Sequence, residues 1–585
     1  MAEDTWVVST KRSERFPFYT RANVGEVFPD PVAPSSFSYA FQADDGLKGS
    51  EVGFREAYKK IGAFTEDEYD PDHCQFLGVF NGYCYLNASM MRLLGHRAPG
   101  MTYADIDYSF FGDAPGVPEF IEQPGDTRPE LTEKIGETFG WALTVQELEE
   151  VKADEEFVNQ LRIDRPDAAT MSDREIWERC RALYNDHFPH LFTQHIYITM
   201  LATLPVGIIQ GVCEAVGRPE AMLRLMAGVG DVESAAPSTA MWNMGRTARA
   251  SGELTAIFDG GLDGLGDRIA ASDSADAVAF REAFDEFLFH YGSRGPNEWE
   301  VRCPTWETDP HIALAAIDRM RLAEDSAAPT LQNAARATER EALGTEIAGM
   351  VEGDPEAHGQ FLAALNAATV FMPGRERTKT NCVKLVQEIR ILSRELGRRW
   401  VANGQVDDPT DLAFLTVEEQ EIELNSPGTH RDIIAERKAR FDELSDLEEP
   451  FLFVGDQPSP DTWAPRSAGA ETQSVPGDVP QGMPGCPGNA VGRARVVLDS
   501  ADPTNLEPGD ILVAPITDPS WTPLFVPAGG VVVNVGAPLS HAIIVSRELG
   551  IPCVVSATHA TKRIVDGATV EVNGDTGVVT VIEVP

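Results

Sequence analysis

Seventeen residues near the C-terminus, Gly536-Ala537-Pro538-Leu539-Ser540-His541-Ala542-Ile543-Ile544-Val545-Ser546-Arg547-Glu548-Leu549-Gly550-Ile551-Pro552, leave the backbone few choices. Gly-Ala-Pro specifies a turn, Ser540 is a favoured helix N-cap, and the apolar residues that follow keep helical spacing until Gly550 and Pro552 stop them. His541 therefore falls in the first turn of a helix, where unpaired N–H groups and the positive end of the helix dipole gather. An imidazole in that place suits covalent carriage of a phosphoryl anion rather than work as a base. The helix is expected to face the surface.

Short β-rich runs surround this helix: Ala494–Leu498, Ile511–Ala514, Gly530–Asn534, Cys553–Ser556, Thr569–Val572 and Val578–Ile582. Gly and Pro turns separate them, which predicts a compact α/β domain over residues 482–585. Before it, residues 455–481 run through Gly-Asp-Gln-Pro-Ser-Pro-Asp and Val-Pro-Gly-Asp-Val-Pro-Gln-Gly without any hydrophobic period. That composition reads as a flexible linker. Residues 1–454 are expected to be one large, mainly helical region with two lobes. Its helices include Ser172–Asn185, opened by a Ser-Asp-Arg-Glu capping box, then Thr199–Val216, Ala277–Tyr291, Leu331–Met350 and Val383–Val401.

The wording of the C-terminal segment resembles the phosphohistidine, or swivelling, domain of phosphoenolpyruvate synthase, pyruvate phosphate dikinase and rifampin phosphotransferase. Gly485-Cys486-Pro487-Gly488, Gly492-Arg493-Ala494-Arg495-Val496-Val497, Pro508-Gly509-Asp510-Ile511-Leu512-Val513 and Asp566-Gly567-Ala568-Thr569-Val570 agree with it as well. Two body motifs resemble the same proteins. Arg21-Ala22-Asn23-Val24-Gly25-Glu26, with Pro29, is similar to the start of their substrate-binding region. His290-Tyr291-Gly292-Ser293-Arg294-Gly295-Pro296-Asn297-Glu298, followed by Arg302, Pro304, Trp306 and Glu307, is similar to a Gly-rich, Arg- and Glu-bearing block. A Gly-rich loop at a helix end lets backbone approach a ligand, and Arg294 offers a planar fork for phosphate oxygens. A structural turn with an Arg294–Glu298 ion pair is the competing reading.

The resemblance implies a multidomain α and α/β protein: a helical acceptor-binding domain, a flexible linker and a C-terminal swivelling phosphohistidine domain. It implies that His541 is the phosphoryl carrier, with Arg294, Arg302 and Ser540 on the phosphate, and Glu298 or His290 assisting the acceptor. The large subunits of phenylphosphate synthase and of para-cresol-phosphorylating synthases are the most similar in plan. They keep the ATP-grasp part on a separate polypeptide, and the Arg21 motif here lies too near residue 1 to leave room for one. ATP and magnesium are then expected on a partner subunit, and a phenol or cresol as acceptor. A rifamycin-like acceptor, or a regulatory phosphocarrier, are the alternatives.

The net charge of -44, from 92 acidic against 48 basic residues, argues against a nucleic-acid or anionic-membrane partner and for a solvated acidic coat. No long uninterrupted apolar run and no charged-then-apolar leader occur, so a cytoplasmic location is expected. The 8 Cys are scattered without a CxxC pair, which fits free thiols. Gly374-Arg375-Glu376-Arg377-Thr378-Lys379-Thr380-Asn381 is a basic cluster expected to head the Val383–Val401 helix, facing either solvent, a phosphate or a partner. His187, His190 and His195 lack the i,i+4 spacing of a helical metal site, Pro189 is expected to break the helix between the first two, and no metal is assigned.

Overall fold

The computed structural model describes residues 6–112, 116–227, 229, 236–325, 328–466, 473–498, 506–518, 521–536 and 540–585. The Ala537-Pro538-Leu539 part of the expected turn lies outside them. The chain forms two compact units, one from residues 1–201, 299–303 and 377–469, the other from residues 202–298, 304–376 and 470–585.

The first unit contains a small antiparallel sheet that the helical reading of residues 1–454 did not foresee. Its strands run in the order Leu77–Phe80, Tyr83–Asn87, Phe18–Thr20 and Leu452–Val454. Asn81 and Gly82, at φ 44° and 90°, make the tight turn between the first two, a geometry whose twist matches the strands it joins. Tyr19, Phe80 and Phe453 pack on one another in this sheet, with ring centroids 4.8 to 5.4 Å apart. Arg21 of the N-terminal motif is buried and donates to Cys84 O at 2.7 Å, Phe28 O at 2.8 Å and the Glu449 carboxylate at 2.9 Å. That guanidinium ties three chain segments together.

The helix that begins after Ser172 does not stop at Asn185. It runs from Asp173 to Ala215 through Pro189 and Pro205, so the expected break and the separate Thr199–Val216 helix are corrected to one element. A mid-helix proline removes a hydrogen bond and costs ~3 kcal/mol or more. Packing outweighs that cost here, because Tyr184, Phe188 and Phe192 repeat at i,i+4 and stack 5.1 and 5.3 Å apart on a buried face. This is the one helix among the described residues long and apolar enough to cross a membrane, and half of its most apolar stretch is buried within the protein. Similarly, Pro355–Ala402 is a single helix with Pro373 inside it. The basic cluster 374–381 therefore sits mid-helix, not at a solvated start: Thr378, Thr380 and Asn381 are buried, and Arg377 pairs with Glu155 at 3.1 Å.

The second unit joins a helical layer to a seven-stranded sheet. Across the sheet the strands are Val578–Glu583, Thr569–Asn573, Asn489–Val496, Ile511–Ala514, Gly530–Val533, Cys553–Val555 and Met483–Cys486. The central four are parallel, the flanking ones antiparallel. Side chains alternate between two cores, as a pleated strand requires. Leu512, Val531, Val533 and Val555 face a core shared with Met241, Trp242, Phe258, Phe287, Ile317 and Met320 of the helical layer. Val513, Val532 and Val554 face a second core with Val570, Val572 and Val579. Burial on both faces explains the uninterrupted Val531-Val532-Val533 run.

The segment expected to be a flexible linker is held over its described residues. Ala464–Pro465 pairs with Leu447–Glu448, and Trp463 is buried with its indole N–H donating to Pro458 O at 2.9 Å. On the other side of residues 467–472, which lie outside the described residues, the Ser474 N–H donates to Arg563 O and the Gly477 N–H to Val581 O, both at 2.8 Å.

His190, in the long helix, contacts Asp154 Oδ1 through Nε2 at 2.8 Å. This hydrogen bond and the Asp154 charge raise the His190 pKa above the ordinary imidazole value. The pair's contribution to stability is therefore complete below the ordinary value and is lost as pH rises through the raised one. An NMR titration should show His190 titrating late, and Asp154→Asn should return it to the ordinary range. A His190 that titrates normally in the wild type would contradict the pairing.

Candidate active site

His541 opens the helix His541–Leu549, which crosses between the parallel strands Gly530–Val533 and Cys553–Val555. The crossover places His541 beyond the carboxyl ends of the parallel strands, the edge at which open α/β sheets gather ligands. Gly550 ends the helix in the left-handed conformation, φ 67°, with its N–H on Arg547 O and Ser546 O, as expected for a glycine C-cap. All nine residues of the helix are buried, and Ala542, Ile543, Val545 and Leu549 belong to the core shared with the helical layer. The expectation of a surface-facing helix is thus overturned: the helical layer of the same unit covers it.

The imidazole lies between two buried hydroxyls. Thr522 Oγ1 is 3.1 Å from Nε2 and Thr517 Oγ1 is 3.4 Å from Nδ1. A hydroxyl both donates and accepts, so the pair serves a neutral ring in either tautomer. Phe525 meets the ring edge-on, with centroids 6.0 Å apart. Ser540 is in N-cap position with extended backbone, yet its hydroxyl makes no capping bond, and Oγ is buried without a partner among the described residues. The hydroxyl is thus held back from its cap at the helix end where unpaired N–H groups gather. Beneath the helix, burial raises the thiols of Cys486 and Cys553 to about 11 and about 12. They stay neutral and poorly nucleophilic.

Arg294 and Glu298 lie in the loop after the helix Ala275–Tyr291, in the same unit. The chain returns on itself there: Trp306 N–H donates to Arg294 O at 2.8 Å and Glu307 N–H to Gly292 O at 2.9 Å. A Cβ on Gly295 would stand 2.5 Å from Pro304 O and 2.6 Å from Thr305 Cα, so only glycine fits. Arg294 Nη1 donates to Glu298 Oε1 at 2.9 Å, and both residues are 2% exposed. The competing structural reading of this pair is the geometry found. The Asn297 N–H donates to Asp518 Oδ2 at 3.3 Å, which joins the Arg294 loop to the residue next to Thr517.

His290 is exposed on the last turn of its helix, against Phe289 and Tyr291. Arg302 belongs to the first unit, its guanidinium 4.5 Å over the Phe441 ring. Thr517, Thr522, Asp518 and Asn297 were not singled out from sequence. The signal available was positional: Thr517-Asp518-Pro519-Ser520-Trp521-Thr522-Pro523 directly follows a parallel strand, and loops there form the binding edge.

Comparison with known proteins agrees with this geometry. Residues 506–577 match the family described as PEP-utilising enzyme, mobile domain, and residues 194–376 match the rifampicin phosphotransferase fourth domain. The chain resembles the PEP-utilising phosphohistidine proteins. Rifampicin phosphotransferase of Streptomyces sviceus is 30% identical over 52% of this chain and 34% of its own length. The prodigiosin synthesizing transferase PigC of Serratia marcescens is 25% identical over 96% of the chain and 63% of its own length. An uncharacterized protein of Mycobacterium tuberculosis is 27% identical over 97% of the chain and 62% of its own. The chain thus spans less than two thirds of each of these relatives.

The buried pair makes a stability prediction. Arg294→Ala leaves the Glu298 carboxylate without its ion-pair partner and should cost about 3–5 kcal/mol, whereas removing both charges with Arg294→Met and Glu298→Met should cost much less. Denaturant unfolding of the three proteins tests this; an Arg294→Ala variant as stable as wild type would contradict a structural role for the pair.

Proposed function

We propose that this chain is the acceptor-binding and phosphohistidine component of an ATP-dependent phosphotransferase, with His541 as the phosphoryl carrier. The observation that carries the reading is His541 itself. It is the first residue of a helix, both ring nitrogens face hydroxyls, and it lies in a segment similar to the mobile domain of PEP-utilising enzymes.

In the proposed relay a separate ATP-grasp subunit holds ATP and magnesium, and ATP and one water are consumed so that the β-phosphoryl group ends on a neutral nitrogen of His541 and the γ-phosphoryl group on the water oxygen, leaving AMP and phosphate. The carrier domain, residues 482–585, then delivers the group to the acceptor domain. There the acceptor oxygen forms the new P–O bond as the P–N bond breaks. The electron pair of that bond returns to the imidazole nitrogen, and the hydroxyl proton ends on the same nitrogen. Charge is conserved, and no further reactant is needed. Positioning and charge neutralisation supply most of the rate. Ser540 and the first-turn N–H groups of the His541 helix are the proposed anion donors, beside the Thr517 and Thr522 hydroxyls that face the ring nitrogens. Arg294, already paired with Glu298, contributes by holding its loop in shape.

A small phenol or cresol is the proposed acceptor. Its hydroxyl, with a pKa near ~10, needs only modest help to lose its proton. A larger, rifamycin-like acceptor is the second reading, favoured by the match of residues 194–376 to the rifampicin phosphotransferase fourth domain. A cytoplasmic location goes with either.

His541→Ala should abolish turnover and leave the thermal unfolding midpoint close to wild type, because Ala is a good helix former and the two hydroxyls can still pair with water. The assay combines the chain with the ATP-grasp subunit, magnesium, ATP and a panel of phenols and rifamycins, reading AMP and phosphorylated product together. Sustained product formation by His541→Ala would reject the relay. Phosphorylated rifamycin without phosphorylated phenol would select the second acceptor.

A further inference from the structure

The Ser293–Glu298 loop contains two buried polar atoms that the fold does not use. Ser293 Oγ and Asn297 Oδ1 have no hydrogen-bond partner among the described residues, although the two residues are only 1% and 7% exposed. Buried polar groups are nearly always paired, so each such atom calls for an account. Asn297 also has a left-handed backbone, φ 51°, which asparagine tolerates but glycine adopts without strain. Its N–H is the group that meets Asp518, adjacent to the Thr517 whose hydroxyl faces His541. Ser540 Oγ, next to His541 in the chain, is likewise buried and without a partner among the described residues. The Asn297 N–H thus joins this loop to the segment that carries Thr517, within one unit.

We infer that Asn297 is a substrate-positioning residue: Asp518, next to the Thr517 that faces His541, fixes its backbone, and its amide oxygen accepts the hydrogen bond of the acceptor hydroxyl that takes the phosphoryl group. An O–H directed into that oxygen turns a lone pair of the same hydroxyl toward phosphorus. The proton remains on the hydroxyl until the P–N bond breaks and then moves to the imidazole nitrogen, as above. Asp518 acts through Asn297 and touches no substrate. The inference rests on the carrier reading of His541 and on a phenolic acceptor.

The test uses the full chain charged at His541 with potassium phosphoramidate, so that no partner is required, with intact mass confirming the charge. Discharge is then followed with phenol or para-cresol and, in a parallel sample, with water alone. Asn297→Gly keeps the left-handed backbone and the N–H to Asp518 and removes only the amide. It should lower acceptor-dependent discharge, relative to discharge by water, about tenfold, the effect of one hydrogen bond. Asp518→Ala should show the same defect, and the double variant should be no worse than the worse single one, because both act on one contact. Discharge by Asn297→Gly equal to wild type, or independent effects that multiply in the double variant, would overturn the inference. Failure of charged wild type to react with either phenol rejects the phenolic acceptor and this assignment with it, whereas failure of His541 to take the phosphoryl group at all rejects the carrier reading itself.

Discussion

The arrangement depends on one constraint: the helix His541–Leu549 must be buried along its whole length while its first turn keeps hydrogen-bonding capacity to offer. Ile543, Val545 and Leu549 enter the core that also holds Trp242, Phe287 and Met320, so the helix cannot rotate or fray without opening that core. Burying apolar surface stabilises by ~25 cal/mol per Å², and a helix covered on both sides takes the full benefit. The opposite end, at Ser540, shows the complementary feature. A serine in N-cap position that leaves its hydroxyl out of the cap gives up about 1 kcal/mol of helix stability. Such a loss is tolerable only because tertiary packing holds the helix, and it leaves a hydroxyl and backbone N–H groups beside the ring.

The same trade explains the loop that carries Arg294. A 2%-exposed ion pair is a weak source of stability against a well-packed apolar alternative. What it supplies is shape: with Gly295 pressed against Pro304 and Thr305, it leaves the Asn297 N–H aimed at Asp518. Reading Arg294 as a phosphate clamp assumed a guanidinium with its fork open. The structure gives one of its donors to Glu298, and the smaller Thr517 and Thr522 hydroxyls are within reach of the imidazole.

Much of the C-terminal fold was legible in the sequence because its punctuation is local. The run Ile511–Ala514 forms its strand with both ends as expected, and Gly530, Cys553, Thr569 and Val578 each open a strand where a Gly or Pro turn ends. Ser540 and Gly550 bracket the His541 helix for the same reason. Features set by distant partners were not legible. Met483–Cys486 contains Pro and Gly and has poor strand propensity, yet it pairs at the sheet edge, with Gly485 close to Cys553. Phe18–Thr20 becomes a strand through pairing with Tyr83–Asn87 on one side and with Leu452–Val454 on the other. Pro189 and Pro205 carry the strongest local helix-breaking signal in the chain, and an aromatic stack at i,i+4 overrode the first. At the site, His541 was found from its own neighbours in sequence, whereas Thr517 and Thr522 reach it only through folding.

The account stands on a phosphoryl group residing on His541, and position-specific labelling tests this most directly. The chain is mixed with the ATP-grasp subunit and magnesium and given ATP labelled at the β-phosphoryl in one sample and at the γ-phosphoryl in another. Proteolysis at alkaline pH, which preserves phosphohistidine, then allows the labelled peptide to be located. The account predicts β-label on the peptide containing His541 and none from the γ-position. Label on another residue, or γ-label on His541, would contradict it.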